Sequence, residues 1–420
     1  MSKKSLLILI VIALLVFILG LFYYLFLTTQ VSVTPTDVNP SDAFPLGQPG
    51  TQNNNSGQTS GQGTNADNNN GLGENQGEQT VVLPTLRLLS HNPVAGAITL
   101  NPSTTTAVVR YLERATGHTY EISLLDTTSR RLTNTTIPKV YEAIWSSRGD
   151  NVVLRYLNEN TDAIQSYIGK IKLSTTSTEN TSLTGTFLPQ DLTQVAINPV
   201  GDSLFGLYNT TDGGAAGFIS AFDSSKKQAV FSSGAGEWLV AWPRPDTLTL
   251  TTKASFGVPG YIFSLNTKTG DFNKLFGGIN GLTTLANFDL TKILYSEISD
   301  QLFKNFVYDL KNKTVTALTI KTLPEKCVWS KNSRDLLYCA IPEDIGSNKL
   351  PDDWYQGKVN FRDMIWQIDT KTNEATQVSP LYQFEVPDNI DVINPMLDKT
   401  ESYLVFTSKN DLSLWALKLK

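Results

Sequence analysis

The chain has 420 residues, of which 40% are hydrophobic, 10% aromatic and 17% charged. This composition supports a sizeable core and excludes a wholly disordered protein. The formal net charge of -5 lacks the cationic excess of a nucleic-acid binder, so no nucleic-acid partner is expected. Two cysteines and two histidines exclude a disulfide-framed miniprotein and a metal centre rich in Cys or His. We therefore expect no metal and no other cofactor.

The N-terminal segment is strongly apolar. Residues 6–27 contain no charged residue, and residues 1–5 before them hold Lys3 and Lys4. As a helix rising about 1.5 Å per residue, this segment is long enough to cross a bilayer. No small-residue cleavage site of a signal peptide follows it. The sequence thus predicts a single transmembrane signal anchor in the cytoplasmic (inner) membrane, with residues 1–5 cytoplasmic and the remaining chain periplasmic or extracellular.

A polar segment follows the predicted anchor. Residues 28–80 are rich in Asn, Gln, Gly, Ser and Thr and contain almost no apolar side chains. Such a composition cannot bury enough apolar surface to offset the entropy of ordering the chain. We interpret this segment as a disordered linker that tethers a folded domain, residues 81–420, to the membrane.

Residues 81–420 read as short β-branched and apolar runs separated by turn residues, which is typical of an all-β domain. An apolar pair followed by Asn or Trp, a turn and a strand recurs seven times, 42 to 65 residues apart. The marked residues are Asn101, Trp145, Asn198, Trp242, Asn287, Trp329 and Asn394. A strand that usually opens with an aromatic or large apolar residue follows each mark. Four strands per period predict a seven-bladed β-propeller, with six or eight blades as alternatives.

The last repeat has room for only three strands after Asn394. The segment Val81–Leu89, with sequence VVLPTLRLL, precedes the first repeat and has no other partner. Pro84 is tolerated there because an outermost strand is a sheet edge. We therefore expect this segment to supply the fourth strand and to close the ring.

The repeats resemble those of the TolB-like branch of the WD-repeat propellers. The turns SSRGD at Ser146, NPVGD at Asn198 and PRPD at Pro243 carry the resemblance best, whereas the Trp-Asp dipeptide of standard WD repeats is absent. The resemblance implies a propeller in an extracytoplasmic setting. Because its motifs are structural, it implies little about activity.

The sequence contains few signals for catalysis. It has no nucleophile elbow, no phosphate-binding loop and no HExxH motif. His91 and His118 lie in predicted turns. Carboxylates grouped around a propeller axis could still perform catalysis, but the sequence selects no pair of them. We therefore expect no catalytic residue, and an enzyme is the less favoured interpretation.

An insertion in the sixth repeat, Pro342–Phe361, is the candidate binding region. It joins the second and third strands of its blade, and such loops emerge on the face of a propeller that commonly receives ligands. Asp352, Asp353, Trp354 and Tyr355 are the candidate binding residues, because aromatic side chains beside polar groups are typical of binding hot spots. The alternative is that Trp354 packs the insertion onto its own blade. Two adjacent acids are weak evidence for a calcium site.

Cys327 and Cys339 are placed symmetrically about the turn at Ser333. If the two strands that flank this turn pair about its centre, the two side chains face each other. Opposed positions on adjacent strands are close enough for a disulfide in some geometries. The pair is thus either a disulfide or two buried thiols.

The function expected from these features is non-catalytic. A membrane-anchored, extracytoplasmic propeller would bind a protein, a peptide or an envelope component. Two alternatives stay open. One is a carboxylate-dependent hydrolase or lyase that acts on sugars at the propeller axis, and the other is a carbohydrate-binding lectin.

Overall fold

The computed structural model describes residues 83–103, 106–158, 163–172, 182–380 and 389–419. The predicted anchor and linker, residues 6–27 and 28–80, lie outside this part of the chain. Among the residues described, none of the helices has the length and apolar character needed to cross a bilayer. This finding contradicts the localisation in the cytoplasmic membrane that the sequence predicts.

Twenty-eight strands form seven antiparallel sheets of four strands in the described residues. Strand β1 (Leu86–Ser90) comes first in the chain. Blade 1 contains β2 (Val94–Ser103), β3 (Thr106–Glu113), β4 (Thr119–Ser123) and β5 (Ser129–Arg131). Blade 2 contains β6 (Val140–Trp145), β7 (Asn151–Asn158), β8 (Ala163–Ile171) and β9 (Leu183–Phe187). Blade 3 contains β10 (Leu192–Ile197), β11 (Ser203–Asn209), β12 (Ala215–Ala221) and β13 (Gln228–Ser233).

The remaining blades follow the same order. Blade 4 contains β14 (Trp238–Arg244), β15 (Thr247–Thr252), β16 (Pro259–Asn266) and β17 (Phe272–Asn280). Blade 5 contains β18 (Thr284–Ala286), β19 (Lys292–Ser299), β20 (Leu302–Asp309) and β21 (Thr314–Leu318). Blade 6 contains β22 (Cys327–Trp329), β23 (Leu336–Pro342), β24 (Asp363–Asp369) and β25 (Glu374–Pro380). Blade 7 contains β26 (Val392–Leu397), β27 (Tyr403–Ser408) and β28 (Leu414–Lys418), with β1 as its outer strand.

The fold is an all-β, seven-bladed propeller, as the repeats predict. Six apolar clusters each join the facing sides of two neighbouring blades, and aromatic contacts of Phe276 with Tyr295 and Tyr308 join blades 4 and 5. Burial between blades explains the apolar residues on both faces of each sheet, because a lone sheet would expose one of them.

The repeat mark has a structural role in these contacts. Trp145, Trp242 and Trp329 are buried in clusters shared with the preceding blade. Asn198 lies in the turn after its strand, where its side-chain oxygen Oδ1 accepts a hydrogen bond from the Val200 N–H and its side-chain Nδ2 donates to the Pro245 carbonyl of the next blade. These four marked residues therefore lie near the end of the first strand of a blade and hold it against a neighbouring blade.

The ring closes in the predicted manner, with one difference in boundary. Strand β1 pairs with β28, and Leu86 lies opposite Leu417. The strand begins at Leu86 and not at Val81, and Pro84 lies before it. Because proline cannot donate to a strand ladder, the pairing starts only after this residue. The N-terminal and C-terminal strands of the propeller thus belong to one sheet.

The closing strand should stabilise the whole domain. Leu86 and Leu89 are each 7% exposed and pack in the clusters on the two sides of blade 7. Replacing either by alanine should lower the free energy of unfolding by about 2–5 kcal/mol, since the change leaves a cavity in a packed core. Thermal unfolding of the variants measures this. The control is Leu125→Ala at a side chain that is 47% exposed, and melting temperatures unchanged from wild type in L86A and L89A would contradict closure by this strand.

Candidate functional site: an acid in the axial cavity

The predicted insertion lies between β23 and β24, the second and third strands of blade 6. It contains a short helix, α1 (Asp352–Tyr355), which consists of the four predicted binding residues. The structure thus brings these residues together, but their side chains have different environments.

Trp354 is 5% exposed and belongs to an apolar cluster that holds the insertion down. The other buried members are Ile298, Phe303, Leu323, Leu350 and Phe361. Ile298 and Phe303 come from blade 5, so the insertion covers part of the neighbouring blade. The side chain is therefore buried by packing that includes the neighbouring blade 5 as well as the insertion itself, and it offers little surface to a ligand.

The two aspartates of the helix hold loops together. The Asp352 carboxylate accepts hydrogen bonds from the Ser255 hydroxyl, at 3.0 Å, and from the Phe256 backbone N–H. Ser255 and Phe256 lie in the loop between β15 and β16 of blade 4. The Asp353 carboxylate accepts from the Lys349 N–H at 2.8 Å. The insertion therefore reaches from blade 6 to a loop of blade 4, to which Asp352 fixes it, while Asp353 holds together the insertion itself.

A buried cluster of three charged residues lies beneath the insertion. The Lys326 ammonium contacts the Asp363 carboxylate at 2.7 Å and also the Asp391 carboxylate, and all three side chains are fully buried. The Asp391 carboxylate accepts hydrogen bonds from Trp354 Nε1 and from the Phe361 N–H, each at 3.0 Å. Burial of these charges is tolerated because they are paired and hydrogen-bonded. They anchor the insertion to blades 6 and 7.

Burial raises the pKa of Asp363 to about 6, although the Lys326 charge opposes the shift. The nearby Asp391 carboxylate acts in the same direction as burial. Two carboxyl groups share one ammonium group here, so a proton on Asp363 removes an unmatched negative charge. The stability of the cluster consequently depends on pH.

An open cavity of about 440 Å³ lies beside this anchored insertion, along the first strands of the blades. Blade 3 contributes Gln194, blade 4 contributes the stretch from Leu239 to Pro243, and blade 5 contributes the stretch from Thr284 to Ala286. Glu325 and Tyr355 also line it. Glu325 belongs to a 3₁₀ turn, Pro324–Lys326, which contacts β18 and β26. The cavity is thus at the propeller axis, where first strands converge.

Glu325 and Tyr355 interact directly in this cavity. The Tyr355 hydroxyl donates a hydrogen bond to Oε1 of the Glu325 carboxyl. The other carboxyl oxygen, Oε2, is buried and has no hydrogen-bond partner among the described residues. Tyr355 is 40% exposed, so part of the residue faces solvent while its hydroxyl reaches the acid.

Burial raises the pKa of Glu325 above its ordinary value, and this effect outweighs the hydrogen bond from Tyr355 and the smaller influences of the Thr283 hydroxyl and the Lys326 charge, all of which favour the charged form. Burial and the adjacent Glu325 carboxyl raise the pKa of Tyr355, so the phenol stays a hydrogen-bond donor. Because Oε1 accepts this hydrogen bond, the acid proton of Glu325 belongs on Oε2. The arrangement can donate that proton to a group bound in the cavity.

Sequence analysis did not select Glu325, Lys326, Asp363 or Asp391. A signal was available for Lys326, Asp363 and Asp391, since each of them adjoins an apolar residue at the edge of a predicted strand, whereas Glu325 stands between Pro324 and Lys326. Buried acids and lysines are rare unless they are paired or functional. Only the arrangement of the blades in a ring shows that Lys326, Asp363 and Asp391 form one cluster and that Glu325 lines the cavity.

Cys327 and Cys339 form a disulfide with an S–S distance of 2.07 Å. They lie directly opposite each other on β22 and β23. The bond links the first two strands of blade 6, immediately after the turn that carries Glu325 and Lys326. In the described ranges, no group of three or more His, Cys, Asp or Glu side chains is arranged to hold a metal ion.

No protein-family model matches the sequence, and no curated protein matches it. Among solved structures, the chain is similar to an oligogalacturonate lyase from Vibrio parahaemolyticus, with a TM-score of 0.50 and 10% identity over 78% of this chain and 97% of that one. It is also similar to a puromycin-hydrolyzing peptidase from Mycobacterium tuberculosis, with a TM-score of 0.49 and 11% identity over 77% of this chain and 51% of that one. TolB from Acinetobacter baumannii has a TM-score of 0.42 and 13% identity, over 67% of this chain and 62% of that one.

At these identities the similarity shows the fold alone. Two of these three proteins are enzymes, and further solved structures that match are a second oligogalacturonate lyase, an acylaminoacyl peptidase and a prolyl endopeptidase. These descriptions contradict the expectation of a non-catalytic binding platform. Of the resemblance to TolB-like repeats, the propeller fold is confirmed, by the seven four-stranded sheets.

Replacing Trp354 by alanine should unfold the insertion and destabilise the domain. The change removes a large buried side chain and the hydrogen bond to Asp391, so we expect a loss of about 3–5 kcal/mol in the free energy of unfolding. Denaturant unfolding of the variant measures this loss. Phe187→Ala, at a ring that is 59% exposed, serves as the aromatic control; a W354A variant as stable as wild type would show that the insertion is not held by this contact.

The buried cluster predicts a specific pH dependence of stability. The pKa of Asp363 is about 6 in the folded state, whereas the pKa of an aspartate in an unfolded chain is about 3.9. The folded state therefore binds the proton more tightly, and this contribution to stability is present below the unfolded pKa and is lost as pH rises through about 6.

Denaturant unfolding at a series of pH values tests this dependence. Relative to Asp363→Asn, wild type should lose on the order of 2–3 kcal/mol between about pH 4 and pH 7. Asp300→Asn, at an exposed residue, should keep the wild-type profile. Parallel profiles for wild type and D363N would exclude the assignment.

Proposed function

We propose that this protein is a carboxylate-dependent hydrolase or lyase that acts on sugars, with Glu325 as the proton donor in the axial cavity. The observation that carries the proposal is Glu325, which lines the cavity and has one buried carboxyl oxygen, Oε2, without a hydrogen-bond partner in the described residues. Buried acids in clefts with shifted pKa values are typical of catalytic groups.

The proton donor is supported by its surroundings. A general acid is most effective when its pKa lies near the working pH, and burial moves the pKa of Glu325 in that direction. Tyr355 fixes the orientation of the carboxyl through Oε1. Proton transfer to the leaving oxygen of a sugar is a step that hydrolysis and elimination both require, and Glu325 supplies it in this proposal.

The cavity has features that suit a polyhydroxylated ligand. The Thr251 and Thr284 hydroxyls, which hydrogen-bond to each other at 2.7 Å, join blades 4 and 5 at its wall. Gln194 adds an amide donor and acceptor. Its volume falls within the roughly 300–1,000 Å³ of small-molecule sites, which combine apolar walls with a few polar groups. An oligogalacturonate lyase shares the fold, and this proposal takes only the general class, sugars, from that protein.

Replacing Glu325 by glutamine should reduce kcat by about 10²–10⁴-fold, the usual contribution of a general acid. The assay measures new reducing ends and unsaturated products from a panel of oligosaccharides. Wild-type activity should fall as pH rises through the pKa of Glu325, since the protonated form is the active one. Glu343→Gln, at an exposed acid in the insertion that carries Tyr355, should retain full activity.

Two outcomes would contradict the proposal. One is the absence of turnover by wild-type protein across the panel. The other is an E325Q variant that is folded, as its melting temperature shows, and as active as wild type.

A further inference from the structure

The charge of the cavity wall distinguishes between classes of sugar. Glu325 is the single charged residue among the described residues that line the cavity, and no lysine or arginine lies among them. The ammonium group of Lys326, the residue next to Glu325, is fully buried and already contacts Asp363 and Asp391. The wall therefore offers hydroxyl, amide and aromatic groups, but no cation that could pair with a carboxylate of a substrate.

An anionic sugar would be penalised in either protonation state of Glu325. When the carboxyl is neutral, the uronate must leave water without a counter-charge, and an unpaired charge is costly to bury. When the carboxyl is ionised, the two like charges repel each other across a cavity with apolar walls. A neutral sugar escapes both penalties, because hydroxyl groups can pair with Thr251, Thr284 and Gln194.

We infer that the axial cavity selects uncharged oligosaccharides and rejects uronates, an inference that rests on the function proposed above. This selection favours hydrolysis over elimination. Elimination from a uronate removes a proton beside a carboxylate, and the negative charge that develops there would need cationic groups for stabilisation. Cleavage of a neutral glycoside needs a proton on the leaving oxygen and water at the anomeric carbon.

The hydrolytic step balances with one carboxyl group and water. The proton on Glu325 Oε2 passes to the glycosidic oxygen as the bond between that oxygen and the anomeric carbon breaks. Water then forms a new bond to the anomeric carbon, and its proton returns to the Glu325 carboxylate. The products are two hydroxyl-bearing sugars, and the acid is regenerated.

Titration calorimetry on the full chain tests the selection directly. Neutral tetrasaccharides of glucose, of xylose and of N-acetylglucosamine are compared with tetragalacturonate at low ionic strength. At least one neutral sugar should bind about tenfold or more tightly than the uronate, a ratio that corresponds to about 1.4 kcal/mol. Gln194→Lys places a cation at the wall and should narrow this ratio about tenfold, while Gln377→Lys, at an exposed residue of the outer strand β25, should leave it unchanged.

The outcomes separate the two proposals. A neutral sugar that binds selectively but is not cleaved supports the selection and contradicts the hydrolase proposal. Tetragalacturonate binding as tightly as the neutral sugars, a ratio insensitive to Q194K, or no binding of any sugar would overturn the selection. Cleavage of tetragalacturonate alone would overturn it while supporting the enzyme.

Discussion

A four-stranded sheet with two apolar faces can be buried only when another sheet packs on each face, and this constraint determines the architecture. Seven such sheets bury one another's apolar faces in a ring, with apolar clusters between neighbouring blades. The last interface requires that the first and last strands of the domain share a sheet, which β1 and β28 do. The ring places the first strands of different blades around one axis, so residues far apart in the sequence become neighbours.

The candidate site is a consequence of this convergence and of one insertion. Lys326, Asp363 and Asp391 form a buried charge cluster that fixes the insertion through Trp354. The adjacent residue, Tyr355, is thereby held at the carboxyl of Glu325. Glu325 and Lys326 are neighbours in the chain with opposite roles, since the lysine anchors the insertion and the acid lines the cavity. The buried charge cluster thus holds in place the tyrosine that hydrogen-bonds to the candidate proton donor, Glu325.

The repeats were sufficient to predict the blades, because alternation, turn residues and the recurring Asn or Trp mark are local signals. The closing strand followed from counting strands, although its start at Leu86 depends on the pairing that begins after Pro84. The pairing of Cys327 with Cys339 was one of two alternatives, and the opposed register of β22 and β23 selects the disulfide. Glu325 could not be selected from the sequence, because its partner and its cavity come from four different blades. The sequence likewise does not reveal the burial of Trp354, because this burial depends on residues of blade 5 that are distant in the chain.

The central claim is that Glu325 holds a proton under conditions in which an ordinary glutamate has lost it. The most direct measurement is the pH titration of its side-chain carboxyl carbon by NMR, with the resonance assigned by its loss in E325Q. The account predicts a midpoint above the ordinary glutamate pKa of about 4.3. A midpoint at or below that value would contradict it, because the carboxyl would then be an ionised surface group and not a buried acid.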